Sequence, residues 1–193
     1  MALNILFLGP QGAGKGTQAK RIAREYGIPH VATGDILRTA IAAETELGRQ
    51  VKPIYDSGGL VPDGIMIGLI RERLGDADTA DGFVLDGFPR TPVQAEALDQ
   101  LLTEIGRSFD VVFELQVPDD VARERMQRRA REEGRTDDSP EAIDRRLALY
   151  HEQTEPLVEY YRVQGNLVGV HGDRTENEVF AEIQAALEQA AVR

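Results

Sequence analysis

The chain has 193 residues, no cysteine, 41% hydrophobic residues, and 22 Lys and Arg against 33 Asp and Glu, a net charge of −11. That charge excludes tight, sequence-independent binding to nucleic acid, which needs many phosphates neutralised by basic side chains. The missing cysteine excludes disulfides, thiolate nucleophiles and cysteine-held metal sites, and no apolar run approaches the roughly 20 residues of a bilayer span, which leaves a globular chain with one sizeable core and no membrane partner.

The first element is a short β-like run at 4–8, reached directly from the N-terminus. Without a basic region, a long apolar segment and a small-residue cleavage site, it reads as an uncleaved cytoplasmic start. Gly9-Pro10-Gln11-Gly12-Ala13-Gly14-Lys15 follows, and a helical pattern then runs through Gln18, Ala19, Ile22 and Ala23 to Tyr26, with Gly27 as its stop signal. Residues 29–32 form a second strand candidate. A long insertion, 33–61, carries helical patterns over 34–43 and 45–57 and closes on Gly58-Gly59. Further strand candidates lie at 83–86, 111–117 and 167–171, with helical patterns between them. Ile5-Leu6-Phe7-Leu8, Phe83-Val84-Leu85 and Val111-Val112-Phe113 are apolar on both strand faces, the mark of parallel strands covered on either side. The expectation is an α/β fold: a doubly wound, five-stranded parallel sheet of the P-loop NTPase type. Residues 129–140 are charged and nearly devoid of apolar side chains, so they read as a mobile excursion without a core of its own.

The motif from Gly9 to Lys15 fits G-x-x-x-x-G-K at a strand-to-helix junction. Its glycines let successive N–H groups turn into a concave nest, the helix adds its positive end, and Lys15 supplies a point charge for β- and γ-phosphates. A glycine-rich turn could simply join strand to helix, but here loop, strand and helix agree. Where a Ser or Thr usually follows the lysine, this chain has Gly16, with Thr17 one place later, which shifts the expected magnesium support away from the loop. The arginines at 123, 125, 128, 129, 131 and 135 suggest the source of a local basic pocket in an otherwise acidic chain.

Four further motifs occur in order: Thr33-Gly34-Asp35 with Arg38; Leu60-Val61-Pro62; Asp86-Gly87-Phe88-Pro89-Arg90 with Gln94; and Gly134-Arg135-Thr136-Asp137-Asp138. Together with the glycine loop they resemble the nucleoside monophosphate kinases, and among these the adenylate kinase family in its short-lid form, over residues 3–180. The resemblance implies reversible, magnesium-dependent transfer of the ATP γ-phosphoryl group to AMP, giving two ADP. It implies a single kinase domain over 1–193: a core of 1–32, 62–128 and 139–193, a monophosphate-binding insertion at 33–61 and a short lid at 129–138. It also implies a monomer and no structural zinc.

By the same resemblance Lys15, Arg90, Arg129, Arg135 and Arg146 surround the moving phosphoryl group. Gly12, Ala13, Gly14, Lys15, Gly16, Thr17, Arg129 and, through its main chain, Arg174 bind ATP. Thr33, Arg38, Gly59, Leu60, Val61, Gly87, Phe88, Pro89, Arg90, Gln94, Arg135 and Arg146 bind AMP. Arginine suits these places because its planar fork holds two phosphate oxygens at once. Asp86, at the end of an apolar strand, is assigned to magnesium through water. Asp137 and Asp138 either pair with lid arginines or cap the helix beginning near Pro140. His30, His151 and His171 lack metal-ligand spacing and read as structural, and Tyr150, Tyr160 and Tyr161 as core. Two alternatives stay open: a UMP/CMP kinase, which tends to carry Asn at the place of Gln94, and a catalytically inactive nucleotide-binding protein.

Overall fold

In the computed structural model, which describes residues 2–135 and 137–191, each of the five β-rich runs is a strand. They are β1 (Leu3–Leu8), β2 (His30–Ala32), β3 (Gly82–Asp86), β4 (Val111–Gln116) and β5 (Leu167–His171), all parallel in the order β2-β3-β1-β4-β5. The chain builds to one side of β1 first and then to the other. A crevice therefore opens beyond the carboxyl end of β1, where the glycine loop begins. Phe7 of β1 pairs with Asp86 of β3, so the motif ending β3 lies beside that loop.

Strand alternation divides β1 between two cores. Leu6 and Leu8 face one apolar cluster with Leu85, Ile70, Leu98 and Tyr161; Ile5 and Phe7 face a second with Ile22, Phe113 and Ile183. The first is roofed by α4 (Asp63–Leu74), α5 (Pro92–Glu104) and α8 (Pro156–Gln164), the second by α1 (Lys15–Tyr26) and α9 (Glu176–Ala191). The doubly wound sheet thus follows from strands apolar on both faces. Among the described residues, no helix is long and apolar enough to cross a membrane.

The insertion after β2 folds as α2 (Thr33–Ala42) and α3 (Glu46–Asp56), the latter capped by the Thr45 hydroxyl, which accepts from the Gly48 N–H. Residues 129–140 are helical at both ends. Helix α6 (Asp119–Glu133) continues through residue 133, and α7 (Pro140–Leu149) begins at Pro140. Ala122 and Met126 of α6 meet Ile143 and Leu147 of α7 in a small third core. Asp137 and Asp138 between these helices are 5% and 3% exposed, held by arginines. The segment lacks apolar anchors and is fixed by charge. Ser139, rather than either aspartate, caps α7 by accepting from the Ala142 N–H. Thr136 lies outside the described residues. A π-helical turn, Tyr150–Thr154, links α7 to α8.

Candidate active site

The carboxyl ends of β1 and β3, the start of α1 and the facing ends of α6 and α7 enclose a cleft of about 580 Å³. Gly12, Ala13, Gly14, Lys15, Gly16 and Thr17 form one wall. Gly12 has φ +85°, and a Cβ there would lie 2.4 Å from the carbonyl oxygen of Ala122, so both the bend and the contact with α6 require glycine. The Lys15 ammonium donates to the carbonyls of Gly9 (2.7 Å) and Pro10 (2.8 Å). Burial pushes its pKa down to about 8, with Asp86 opposing and the Arg90 and Arg129 charges adding to the fall. Arg125 ties this wall to the loop after β5, donating to the Gly172 carbonyl at 2.8 Å and the Ala13 carbonyl at 3.4 Å. Arg174 lies on the rim, 3.5 Å from Glu182.

Asp86 ends β3 with its side chain 16% exposed. Burial works to raise its pKa, but His30, Lys15 and Arg90 outweigh it and hold the carboxyl below its ordinary value. His30 Nε2 stands 3.7 Å from Asp86 Oδ2 and has no hydrogen-bond partner among the described residues. A Cβ on Gly16 would lie 3.4 Å from the same Oδ2. Gly16 thus leaves open the space beside the carboxylate that a Ser or Thr would enter. A single carboxylate facing a phosphate cradle suits magnesium, which takes one or two carboxylates and completes its shell with water and substrate phosphate. Among the described residues no group of three or more His, Asp or Glu could hold a metal ion.

The opposite wall is cationic. Arg90 donates from Nε to the Gly87 carbonyl at 2.8 Å, and its own carbonyl accepts from the Thr154 hydroxyl at 2.8 Å. The π-helical turn thus aims Thr154 at the backbone of Arg90. Burial pulls the Arg90 pKa down, and the charges of Arg146 and Arg38 pull the same way. Arg38 donates to the Tyr55 hydroxyl at 2.6 Å and pairs with Asp35. Arg146 binds Asp137 at 2.9 Å and also Asp138, while Arg129 forks onto Asp138 at 2.9 and 2.7 Å and Arg135 pairs with Glu133 at 2.6 Å. Gly87, at φ +84°, would drive a Cβ to 2.5 Å from the Thr33 hydroxyl oxygen.

Beyond Arg90 the cleft continues into a narrow recess lined by Thr33, Gly59, Leu60, Val61, Gly87 and Gln94. Its free volume of about 20 Å³ is room for about one water, so a purine enters only if the insertion moves away from α5.

Of the residues expected here, only Phe88 is elsewhere: at 1% exposure it belongs to the core beneath β1 and lines neither cleft nor recess. An aromatic side chain in a motif can serve packing while its neighbours face the ligand. Of the clustered arginines, Arg125, Arg128, Arg129 and Arg135 reach the cleft, whereas Arg123 pairs with Asp144 and Arg131 is outside the lining. His30, Tyr55, Tyr150 and Thr154 also line it. The sequence marks none of these four as polar groups of a site, because β2 meets β3 and α7 meets Arg90 only in the folded chain.

The adenylate kinase family model matches residues 7–166. The chain belongs to the adenylate kinase family. The match takes in the glycine loop, Asp86 and all the cleft arginines except Arg174. An adenylate kinase of Maricaulis maris (strain MCS10) is 50% identical over 187 residues, covering 97% of this chain and 100% of that protein. One from Cyanothece sp. (strain PCC 7425 / ATCC 29141) is 49% identical over 189 residues, covering 98% and 96%. The adenylate kinase of Archaeoglobus fulgidus is 43% identical over 214 aligned positions, covering 97% and 99%. Because 214 exceeds the 193 residues present, that relative carries insertions this family member lacks.

Proposed function

We propose that the cleft is a two-nucleotide site in which the γ-phosphoryl group of ATP passes reversibly to AMP, giving two ADP. The activity is that of an adenylate kinase, a phosphotransferase acting on nucleoside monophosphates. The observation that carries the two-nucleotide reading is the convergence of Lys15, Arg90, Arg129, Arg135 and Arg146 on one cleft, with the glycine loop at one end and the Gln94 recess at the other.

The glycine loop holds the ATP phosphates, and Lys15 exchanges the Gly9 and Pro10 carbonyls for β- and γ-phosphate oxygens. Arg38 and Arg90 hold the AMP phosphate, with Thr33, Gln94 and the backbone of 59–61 around its base. Arg129, Arg135 and Arg146 neutralise charge spread over the moving group, and Arg129 together with the main chain at Arg174 flanks the ATP base. Phosphoryl transfer asks little covalent help, so alignment and charge neutralisation are the protein's work. Magnesium, held near Asp86 through water, would supply charge neutralisation on the triphosphate. Residues 33–61 and 129–138 act as the monophosphate flap and the lid on the remaining core, and their closure excludes water. The reading extends to a cytoplasmic monomer, which sedimentation and cell fractionation test.

A coupled assay with ATP and a panel of AMP, UMP, CMP and GMP tests the reading. AMP is expected to lead by a wide margin, and Lys15→Met to lower turnover by at least about 10²-fold, the scale set by loss of one preorganised charge donor. Comparable rates with UMP or CMP would move the reading to a pyrimidine kinase, and near-normal turnover of the variant would overturn the role of the loop.

A further inference from the structure

Gln94 sits at 2% exposure in the wall of the base recess, and both ends of its amide are engaged. Its Oε1 accepts from the Arg90 backbone N–H at 2.8 Å, and its Nε2 donates to Asp63 Oδ1 at 2.8 Å. The same Asp63 oxygen accepts from the Thr91 hydroxyl at 3.0 Å, and the Thr91 oxygen accepts the Gln94 backbone N–H at 3.2 Å. A backbone N–H can only donate and a carboxylate oxygen only accepts, so the orientation of the amide is dictated by its neighbours. Rotating it by half a turn would set Oε1 against the carboxylate and Nε2 against an N–H, losing both bonds in a buried place.

One donor and one acceptor of the amide then remain, in a fixed spatial order. That order matters for a purine. Adenine offers an acceptor at N1 beside a donor at N6, whereas hypoxanthine and guanine offer a donor at N1 beside an acceptor at O6. An amide free to turn over could serve either. We infer that Asp63, which does not touch the substrate, is a positioning residue for base selectivity: by pinning the Gln94 amide in one orientation it makes the recess accept adenine and reject 6-oxopurine monophosphates. This rests on the proposed reading in which Gln94 meets the base of the acceptor nucleotide.

The test compares kcat/KM for AMP and for inosine monophosphate at saturating ATP in the wild type, Asp63→Asn, Gln94→Ala and the double variant. Asparagine keeps the shape but can donate or accept, so the amide regains both orientations on that side. The AMP preference is expected to fall about tenfold in Asp63→Asn, the scale of an alternative hydrogen-bonding arrangement becoming available in a buried site, with the KM for ATP unchanged. In the Gln94→Ala background the same substitution should leave the preference unchanged within about twofold, because the group through which Asp63 acts is gone. Asp63→Ala, which removes the acceptor and adds no donor, is run in parallel should the asparagine variant fold poorly. An unchanged preference in both Asp63 variants overturns the proposal, as does an equal fall with and without Gln94. If Gln94→Ala alters neither the KM for AMP nor the preference, the placement of the base fails and the proposal falls with it, while the transfer itself stands.

Discussion

Nucleotide affinity should depend on pH through Lys15. Its ammonium titrates at about 8 in the cleft against 10.5 for a free lysine, burial being the main cause. Burial thus disfavours the ammonium by about 3 kcal/mol relative to the neutral amine. A bound triphosphate surrounds the group with negative charge and favours the ammonium, so binding above pH 8 must draw in a proton. Between pH 7.5 and pH 9 the charged fraction of a group titrating near 8 falls from about three-quarters to about one-tenth, so ATP affinity should fall about eightfold. The sign is set by the ligand: affinity is full below the pKa of the free protein and is lost as pH rises through it. Isothermal titration calorimetry at both pH values, in two buffers of different ionisation enthalpy, measures the affinity and the proton uptake together. Uptake should approach one proton per ATP at pH 9, and Lys15→Met should abolish both effects. Affinity constant within about twofold across this range, with no uptake, would refute the assignment of Lys15 as a phosphate ligand whose charge is destabilised by burial.

Three further outcomes follow from the geometry. Gly87→Ala forces a left-handed backbone on alanine and a Cβ to 2.5 Å from the Thr33 oxygen, so it should cost about 1–3 kcal/mol of stability and raise the KM for AMP more than that for ATP, read by urea melts and initial rates. Tyr161→Phe removes a hydroxyl that is buried with no partner among the described residues, and should stabilise the chain by about 1 kcal/mol in the same melts; a loss of stability would mean that the hydroxyl is satisfied. Asp138→Ala strips a fully buried carboxylate from Arg129 and Arg146, and should cost about 3–5 kcal/mol, less whatever Asp137 recovers for Arg146. A change under about 1 kcal/mol would show that those guanidiniums find water instead.

What could be read in the sequence was whatever depends on neighbours along the chain. The both-faces-apolar strands and the glycine loop with its following helix are local patterns, and the strands, loop and α1 fold accordingly. The local order of 129–140 comes from ion pairs between α6, the aspartates and α7, with no apolar periodicity to announce it. His30 facing Asp86 depends on β2 being placed beside β3, and strand order is not written in any one strand. Phe88 stands within the site's motif, but its ring packs in the core, a division that the motif alone does not announce.

The electrostatics of the cleft explain how an acidic chain can bind anionic nucleotides. Arg38, Arg129, Arg135 and Arg146 each have a carboxylate partner, so much of their charge is already balanced and their orientation is set. Arg90 differs: its Nε donates only to the Gly87 carbonyl, no carboxylate pairs with it among the described residues, and Arg146 and Arg38 press their charges on it. A half-buried guanidinium with cationic neighbours and no ion-pair partner is a place where an incoming dianion gains, because it meets a partly desolvated charge that Asp86 offsets only at longer range. Lys15, hydrogen-bonded only to neutral carbonyls and offset by Asp86 at longer range, is placed similarly at the other end of the cleft. In the proposed two-nucleotide reading Lys15 and Arg90 stand without an ion-pair partner at the two seats, and the paired arginines between them can supply charge to the transferring group by loosening existing salt bridges. Ionic strength should therefore weaken binding at Arg90 and Lys15 less than it weakens the exposed pairs on the surface, since screening acts least on buried charge.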